Sequence, residues 1–196
     1  MFFRRSAEPV RWIAVFLGNP GLRYENTRHN AGFMVADVLA KKAEVKIIRA
    51  KFSAFTAIAS IGGKRVLLVK PQTYMNLSGT SASQAMKFHR VPLQNVLVIS
   101  DEVSLPPGKL RIRRRGSAGG HNGLRDIISK CGGEDFPRIR LGVGSPVHEG
   151  YEMADWVLSK LTGEESKLLS GAVLRATEAI ELTMSQGLDS AMSMYN

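Results

Sequence analysis

The sequence predicts an α/β protein in which a mixed, mostly parallel twisted sheet is flanked by helices, as a single-domain three-layer sandwich. Three observations predict this class. Apolar runs of strand length alternate with amphipathic helical patterns, as in β-α-β units. No repeat, low-complexity tract or composition break divides the 196 residues, and one domain of this length can bury a substantial core. Gly62-Gly63 separates two strand patterns and therefore predicts one antiparallel hairpin.

Strands are predicted where apolar or alternating runs of five to seven residues occur. In two of these strands, Lys109–Arg115 and Arg138–Gly144, cations alternate with apolar residues. The predicted strands are Trp12–Leu17, Phe55–Ile61, Arg65–Pro71, Asn95–Asp101, Lys109–Arg115 and Arg138–Gly144.

Helices are predicted where apolar residues recur with a period near 3.6. Three of them are Asn30–Ala43, Ser78–Arg90 and Gly123–Lys130. The fourth opens with Thr162 and Glu165 at the spacing of a capping box and runs to about Gln186. Its predicted apolar stripe is Leu168, Leu169, Val173, Ala176 and Ile180.

Charge divides the chain into a basic body and an acidic end. The net charge is +10, but residues 1–150 carry 24 basic and 10 acidic residues, while the C-terminal helical part, 151–196, carries 3 and 7. Such a body favours a polyanionic partner, most often a nucleic acid, although a basic protein without such a partner remains an open alternative. Residues 1–10 form an N-terminal extension without a secretory apolar run, and residues 144–150 a flexible connection.

Short polar side chains follow three of the predicted strands. Asn19 follows the first predicted strand, Asn76 follows the strand Arg65–Pro71, and Asp101 ends the strand that begins near Asn95. Parallel neighbouring strands would bring these residues to one rim. Two loops that enter helices add His29 and Asn122. A turn role for Asn19 and Asp101 and a helix-cap role for Asn76 and Asn122 remain the structural alternatives.

His29 is the candidate general base of this rim. It lies near the start of a predicted helix, whose positive end disfavours imidazolium and so should keep the ring neutral. A carboxylate such as Asp101 would orient the ring, and amide side chains would hold a water and stabilise an oxyanion.

Other chemistries lack their sequence signals. The chain has no G-x-S-x-G nucleophile elbow, no phosphate-binding P-loop and no complete dinucleotide fingerprint. Its four histidines are scattered without a paired-ligand motif, which predicts no metal site. The single cysteine, Cys131, excludes an internal disulfide and suits a reducing compartment.

The segment KLRIRRR predicts a phosphate-binding strand. Alternation places Lys109, Arg111, Arg113 and Arg115 on one face, and the segment runs directly into the loop of Asn122. Arg140 alternates in the next strand. Guanidinium groups bind phosphate in bidentate fashion, whereas a solvated strand face is the alternative.

Four collinear motifs make the chain resemble bacterial peptidyl-tRNA hydrolases. They are GNPGLRYENTRHNAGF, KPQTYMNLSG, SDEVSLPPGKLRIRRRGSAGGHNGLRDIIS and FPRIRLGVGSP, and they span nearly the whole chain from about Trp12. The resemblance implies a single α/β domain that cleaves the ester between a peptide and the terminal ribose of tRNA. It also implies no metal or organic cofactor, a cytoplasmic monomer, no membrane, and contacts to the acceptor stem and terminal phosphate.

The resemblance also implies a role for individual residues. His29 corresponds to the catalytic histidine and Asp101 to its partner, with Asn19, Asn76 and Asn122 as amides of the catalytic site. The implied substrate contacts are Tyr24, Met75, Asn76, Asn122 and Gly119. The implied tRNA contacts are Lys109, Arg111, Arg113 and Arg140.

Two alternative functions remain open from the sequence. A non-catalytic RNA-binding module on the same fold would bind RNA without cleaving an ester. An enzyme acting on small nucleotides or nucleosides would use the same rim, but it would not explain an arginine row that extends away from it.

Overall fold

A seven-stranded mixed sheet organises the computed structural model, which describes residues 8–146 and 150–196. The strands follow the order β2-β3-β4-β1-β5-β7-β6 across the sheet. Their bounds are Trp12–Phe16 (β1), Arg49–Lys51 (β2), Ala54–Ile61 (β3), Lys64–Pro71 (β4), Val96–Glu102 (β5), Leu110–Arg113 (β6) and Arg138–Gly142 (β7). The predicted fold class is confirmed.

The four central strands are parallel. β1 lies between β4 and β5, and β5 lies beside β7, each pair in parallel register. The residues of β1 from Ile13 onward are fully buried, as parallel strands with both faces covered must be. The carboxyl ends of β4, β1 and β5 therefore lie at one edge of the sheet, as the sequence predicts.

Antiparallel strands form both edges of the sheet. β3 and β4 form the predicted hairpin, and both turn glycines, Gly62 and Gly63, have positive φ. β2 was not predicted, because its three residues carry no apolar alternation. β6 is shorter than predicted: Lys109 and Arg115 lie outside it.

The described residues contain six α-helices. They are Ala31–Lys42 (α1), Ser78–His89 (α2), Asn122–Cys131 (α3), Met153–Leu158 (α4), Gly163–Gln186 (α5) and Leu188–Tyr195 (α6). Helices α1, α5 and α6 pack on the face of the sheet that presents Ala14 and Phe16, and α2 and α3 pack on the face that presents Ile13 and Val15. This is the predicted three-layer arrangement, and alternation along β1 supplies both cores.

The C-terminal helices hold one confirmation and one correction. Thr162 and Glu165 form the predicted capping box of α5. Leu168, predicted in the apolar stripe, is 47% exposed, whereas Leu169 is buried, because the stripe that meets the sheet begins one residue later.

Residues 1–7 of the N-terminal extension and 147–149 of the predicted connection lie outside the described residues. No helix within the described part has the length and apolar character to cross a membrane.

Candidate active site

The loop that carries His29 is tied to the exit of β1. The chain turns through a short 3-10 segment, Arg28–Asn30, before α1 begins at Ala31, one residue later than predicted. The Asn19 backbone N–H donates to Asn30 Oδ1 at 2.8 Å, and Asn30 Nδ2 donates back to the Asn19 carbonyl at 3.0 Å. This reciprocal pair, buried in the protein, holds His29 at the carboxyl edge of the sheet.

His29 and Asp101 are in direct contact. The Nδ1 atom of His29 lies 3.0 and 3.1 Å from the two carboxylate oxygens of Asp101, which is the penultimate residue of β5 and only 3% exposed. An ionised carboxylate can only accept hydrogen bonds. His29 Nδ1 therefore carries the proton, and in the neutral ring Nε2 is free to accept one.

The pair shifts the pKa of both groups. Burial lowers the pKa of His29, but the charge of Asp101 and the hydrogen bond to it outweigh burial, so the pKa is raised above its ordinary value. The expectation that the helix start lowers it is wrong, because a contacting full charge outweighs the partial charge of a helix end. Burial raises the pKa of Asp101, but His29 and His121 bring it well below its usual range.

His121 is a second partner of Asp101, a role that was not predicted from the sequence. Its Nε2 lies 3.0 Å from Asp101 Oδ1. Its Nδ1 caps α3 and accepts from the backbone N–H groups of Gly123 at 3.1 Å and Leu124 at 3.4 Å. The cap leaves the ring proton on Nε2, which donates to Asp101. The available signal was the position of this histidine directly before a helical pattern.

The two histidines are therefore adjacent in space although they lie far apart in the sequence, a proximity that the absence of a paired-ligand motif did not reveal. Their ring centroids are 5.0 Å apart, and the ligand atoms of His29, Asp101 and His121 lie within 4.8 Å of one another. That spacing could hold a metal ion only if His121 Nε2 lost its proton. The cap of α3 occupies the other ring nitrogen, so the observed hydrogen bonds favour a carboxylate that orients His29 over a metal centre.

The three asparagines take different positions. Asn19 is buried, and its Oδ1 accepts from the Met75 backbone N–H at 2.8 Å, which joins the loops after β1 and β4. Asn76 and Asn122 are exposed, and neither is a helix cap, since Leu77 and His121 occupy those positions. Asn122 Oδ1 accepts from Arg125 at 2.9 Å. The cap alternative is thereby wrong for both exposed amides.

A cavity of about 390 Å³ adjoins the histidine pair. Its polar wall includes four residues of the predicted site set, and its opposite wall is apolar and comes from α4. Asn19 lines a separate pocket, and neither Tyr24, Met75 nor Asn76 lines this one. The polar wall includes His29, Asp101, Gly119 and Asn122, and the apolar wall consists of Met153, Ala154 and Val157.

Arg28 connects the His29 loop to the C-terminal helices. Its guanidinium is 3% exposed and binds both carboxylate oxygens of Glu165, at 2.6 and 2.7 Å. It also donates to Ser159 Oγ and the Lys160 carbonyl, and it stacks 3.8 Å above the ring of Trp156 in α4. One buried side chain therefore joins the loop of His29, the apolar wall of the cavity and the start of α5.

The basic strand lies at the far edge of the sheet. Lys109, Arg111 and Arg113 are exposed, and Arg111 pairs directly with Arg140 of β7. Arg140 is half-buried and already binds Glu102 Oε2 at 2.7 Å, so it is the least available cation of this group. Tyr24 is half-buried in the loop before His29, with the Arg23 guanidinium 4.6 Å from its ring centroid.

Comparison with known proteins relates the chain to one family. A family model described as Peptidyl-tRNA hydrolase matches residues 13–196. The chain is 46% identical over 185 residues to the peptidyl-tRNA hydrolase of Caldanaerobacter subterraneus subsp. tengcongensis, covering 94% of this chain and 99% of the relative. It is equally identical over 185 residues to that of Carboxydothermus hydrogenoformans, covering 94% and 98%.

Solved structures agree with these relatives. The crystal structure of peptidyl-tRNA hydrolase from Acinetobacter baumannii superposes with a TM-score of 0.89 at 35% identity and covers 97% of each chain. The chain belongs to the peptidyl-tRNA hydrolase family.

Proposed function

We propose that the protein hydrolyses the ester that joins a peptide to the terminal ribose of tRNA, with His29 as general base. The contact between His29 and Asp101 beside an open cavity carries this proposal, and the names of the relatives support the substrate class. The monomer that the resemblance implies stays a prediction. Such a reaction belongs in the cytoplasm, where aminoacylated tRNA is used.

His29 Nε2 takes a proton from water in the first step. The water oxygen attacks the ester carbonyl and forms a tetrahedral oxyanion, while Asp101 stabilises the imidazolium through Nδ1. The C–O3′ bond then breaks, and the imidazolium gives its proton to the departing ribose oxygen. The products are a peptide carboxylic acid, which ionises, and free tRNA.

Asp101 and His121 position the base. The N–H of His121 gives the carboxylate a second donor, which keeps Asp101 ionised and oriented towards His29. His121 cannot take over as the base through the same contact, because its Nε2 carries the donated proton and its Nδ1 caps α3. His29 is therefore the one histidine of the pair with a nitrogen available to water.

The amide side chains contact substrate in this proposal. Asn122 lines the cavity and would donate to the oxyanion. Asn19 and Asn76 would position the peptide and the water, with Asn19 using its Nδ2, since its Oδ1 is engaged by Met75. Gly119 has φ of +55°, and its exposed backbone would let the acyl chain approach closely. Tyr24 and Met75, which do not line this cavity, stay predicted substrate contacts.

The exposed cations of β6 would bind the phosphates of the acceptor stem. Arg111 and Arg113 have no carboxylate partner among the described residues, and Lys109 lies just before them. Arg140 would join them only by sharing its guanidinium with Glu102. These contacts supply affinity and register with little reading of base sequence.

Hydrolysis of an N-blocked aminoacyl-tRNA tests the proposal, with free aminoacyl-tRNA as the comparison substrate. His29→Ala should lower kcat by about 10²- to 10⁴-fold, the usual contribution of a general base, while tRNA affinity and the melting temperature stay close to wild type. Unchanged turnover in this variant would refute the assignment of the base. Binding of tRNA by the wild-type protein without any ester cleavage would instead favour the RNA-binding module.

A further inference from the structure

A groove of about 580 Å³ lies at the other edge of the sheet, away from the arginine row. We call it the β2 groove. Five strands of the sheet separate β2 from β6, so the two cationic regions are distinct. Among the described residues, no acidic side chain lines it. Its lining includes the cations Lys46, Arg49 and Lys51 and the rings of Phe52, Phe88 and His89.

The aromatic rings of the β2 groove are arranged as an open cluster. Phe88 is 61% exposed, an unusual position for a large apolar side chain at the end of a helix. The ring centroids of Phe52 and Phe88 are 5.4 Å apart, and that of His89 lies 4.9 Å from Phe88. The Lys51 ammonium is 3.3 Å from the Phe88 ring centroid. Cations and flat rings are thus interleaved at one surface.

The turn that presents Phe52 is strained. Phe52 and Ser53 connect β2 and β3, and their φ values are +61° and +52°. Two-residue hairpin turns of this type favour Asn-Gly, because both central residues lie in the left-handed region. A phenylalanine there is unfavourable, and packing of its ring against the core beside α2 offsets part of the strain. The ring of Phe52 is held at the groove against the backbone preference.

The charged side chains that line the groove are all cationic. Burial lowers the pKa of His89, and the positive charges of Lys51 and Arg65 lower it further. Arg90, which follows His89 at the end of α2, is a further exposed cation. A ligand of this surface must therefore be an anion that also presents flat, apolar faces.

We propose that the β2 groove binds unpaired nucleotides of single-stranded RNA. One or two bases stack on Phe88 and Phe52, and Lys46 and Arg49 contact the flanking phosphates. Every base has a flat face, so stacking tolerates any sequence, and the cations follow the backbone. The choice of RNA over DNA rests on the proposed function, whereas the groove itself and its test do not.

Fluorescence anisotropy with a labelled oligouridylate of eight nucleotides tests this proposal at low salt. Phe88→Ala and Phe52→Leu should each raise Kd by about 5- to 100-fold, the range expected for the loss of one base–aromatic stack. Phe52→Leu keeps an apolar side chain against the core beside α2, so its melting temperature should stay close to that of the wild type. Weaker binding by an equally stable protein cannot result from unfolding.

Phe55→Ala is the matched control. Phe55 is also a partly exposed phenylalanine of this edge, but it alternates to the opposite face of β3 and lines the pocket of Asn19. Its replacement should leave Kd unchanged, and His29→Ala should bind the oligonucleotide like wild type, which separates this test from the test of hydrolysis. Absence of binding by the wild-type protein, an unchanged Kd in both groove variants, or equal competition by a polyglutamate peptide would each overturn the proposal.

Discussion

Two arginines of this molecule differ in whether their positive charge is buried and paired or exposed to solvent. Arg28 is 3% exposed, holds both oxygens of Glu165 and stacks on Trp156 beside the histidine pair. Arg111 is exposed on β6, with Arg140 as its cross-strand neighbour. Buried charges lose hydration and must be paired, whereas exposed charges stay hydrated and remain available to a ligand.

The same contrast separates the two regions that contain these arginines. Around Asp101, the contacts are buried and have a defined geometry: His29 Nδ1 and His121 Nε2 each lie 3.0 Å from Oδ1. Along β6, the cations act through a field that salt screens. We therefore expect substitutions in the buried region to change chemistry or folding, and substitutions on β6 to change only affinity and its salt dependence.

Asp101→Asn is expected to have the largest effect. The amide keeps the size of the side chain but removes the charge that stabilises the His29 imidazolium, so kcat should fall by about 10²- to 10⁴-fold while tRNA still binds. Steady-state hydrolysis of N-blocked aminoacyl-tRNA measures this. Asp126→Asn is the matched control, because Asp126 contacts Gly79 and Lys130 and no histidine; a comparable loss of turnover there would contradict the assignment.

Arg28→Met should have the second-largest effect, a lower free energy of unfolding. The variant leaves Glu165 without its bidentate partner, and we expect a loss of about 2–3 kcal/mol in the free energy of unfolding, measured in urea. Glu165→Gln breaks the same ion pair, so the double variant should lose less than the sum of the two single variants. Strict additivity would show that the pair contributes nothing of its own.

Arg111→Ala should have a smaller effect that is confined to binding. At low salt we expect Kd for tRNA to rise by about 3- to 10-fold, and the slope of log K against log salt to fall by about 0.9, one phosphate contact. Filter binding over a salt series measures both quantities, and kcat at saturating substrate should not change. Arg114→Ala is the control, since Arg114 already pairs with Asp189; a change in kcat for Arg111→Ala would contradict the contrast.

The pH dependence of the wild-type protein should show the smallest effect. A general base works only when it is neutral, and the pKa of His29 is raised above the 6.5 typical of histidine. The value of kcat/KM should therefore fall as pH decreases through an inflection above 6.5, and at pH 6.5 it should be less than half of its plateau. In Asp101→Asn the inflection should move to lower pH, because burial then acts without the opposing charge. An inflection at or below 6.5 in the wild type would contradict the raised pKa.

The prediction of the site from sequence succeeded where residues follow strands and failed where they meet across loops. Placing Asp101 on the rim with His29 required only that β1 and β5 be parallel neighbours. His121 was missed because its role depends on the path of the loop before α3, which no periodicity describes. Asn19 was placed at the rim, but its use of Oδ1 to hold Met75 depends on the packing of two loops.

The raised pKa of His29 could not be predicted from the sequence either. A helix start near a histidine favours the neutral ring, and only the 3.0 Å contact with Asp101 reverses that direction. The strained turn at Phe52 and the short strand β2 were likewise not visible, since local propensity argues against both.

By itself the sequence determined the alternation of strands and helices, the apolar faces that form the two cores, and the basic character of β6, because these depend on residue periodicity and charge along a local segment. The tertiary structure alone decided which charges are buried and paired, as with Arg28 and Asp101, and which remain free, as with Arg111. The physical reason is that desolvation and contact depend on distances between residues far apart in the chain, and periodicity carries no information about those distances.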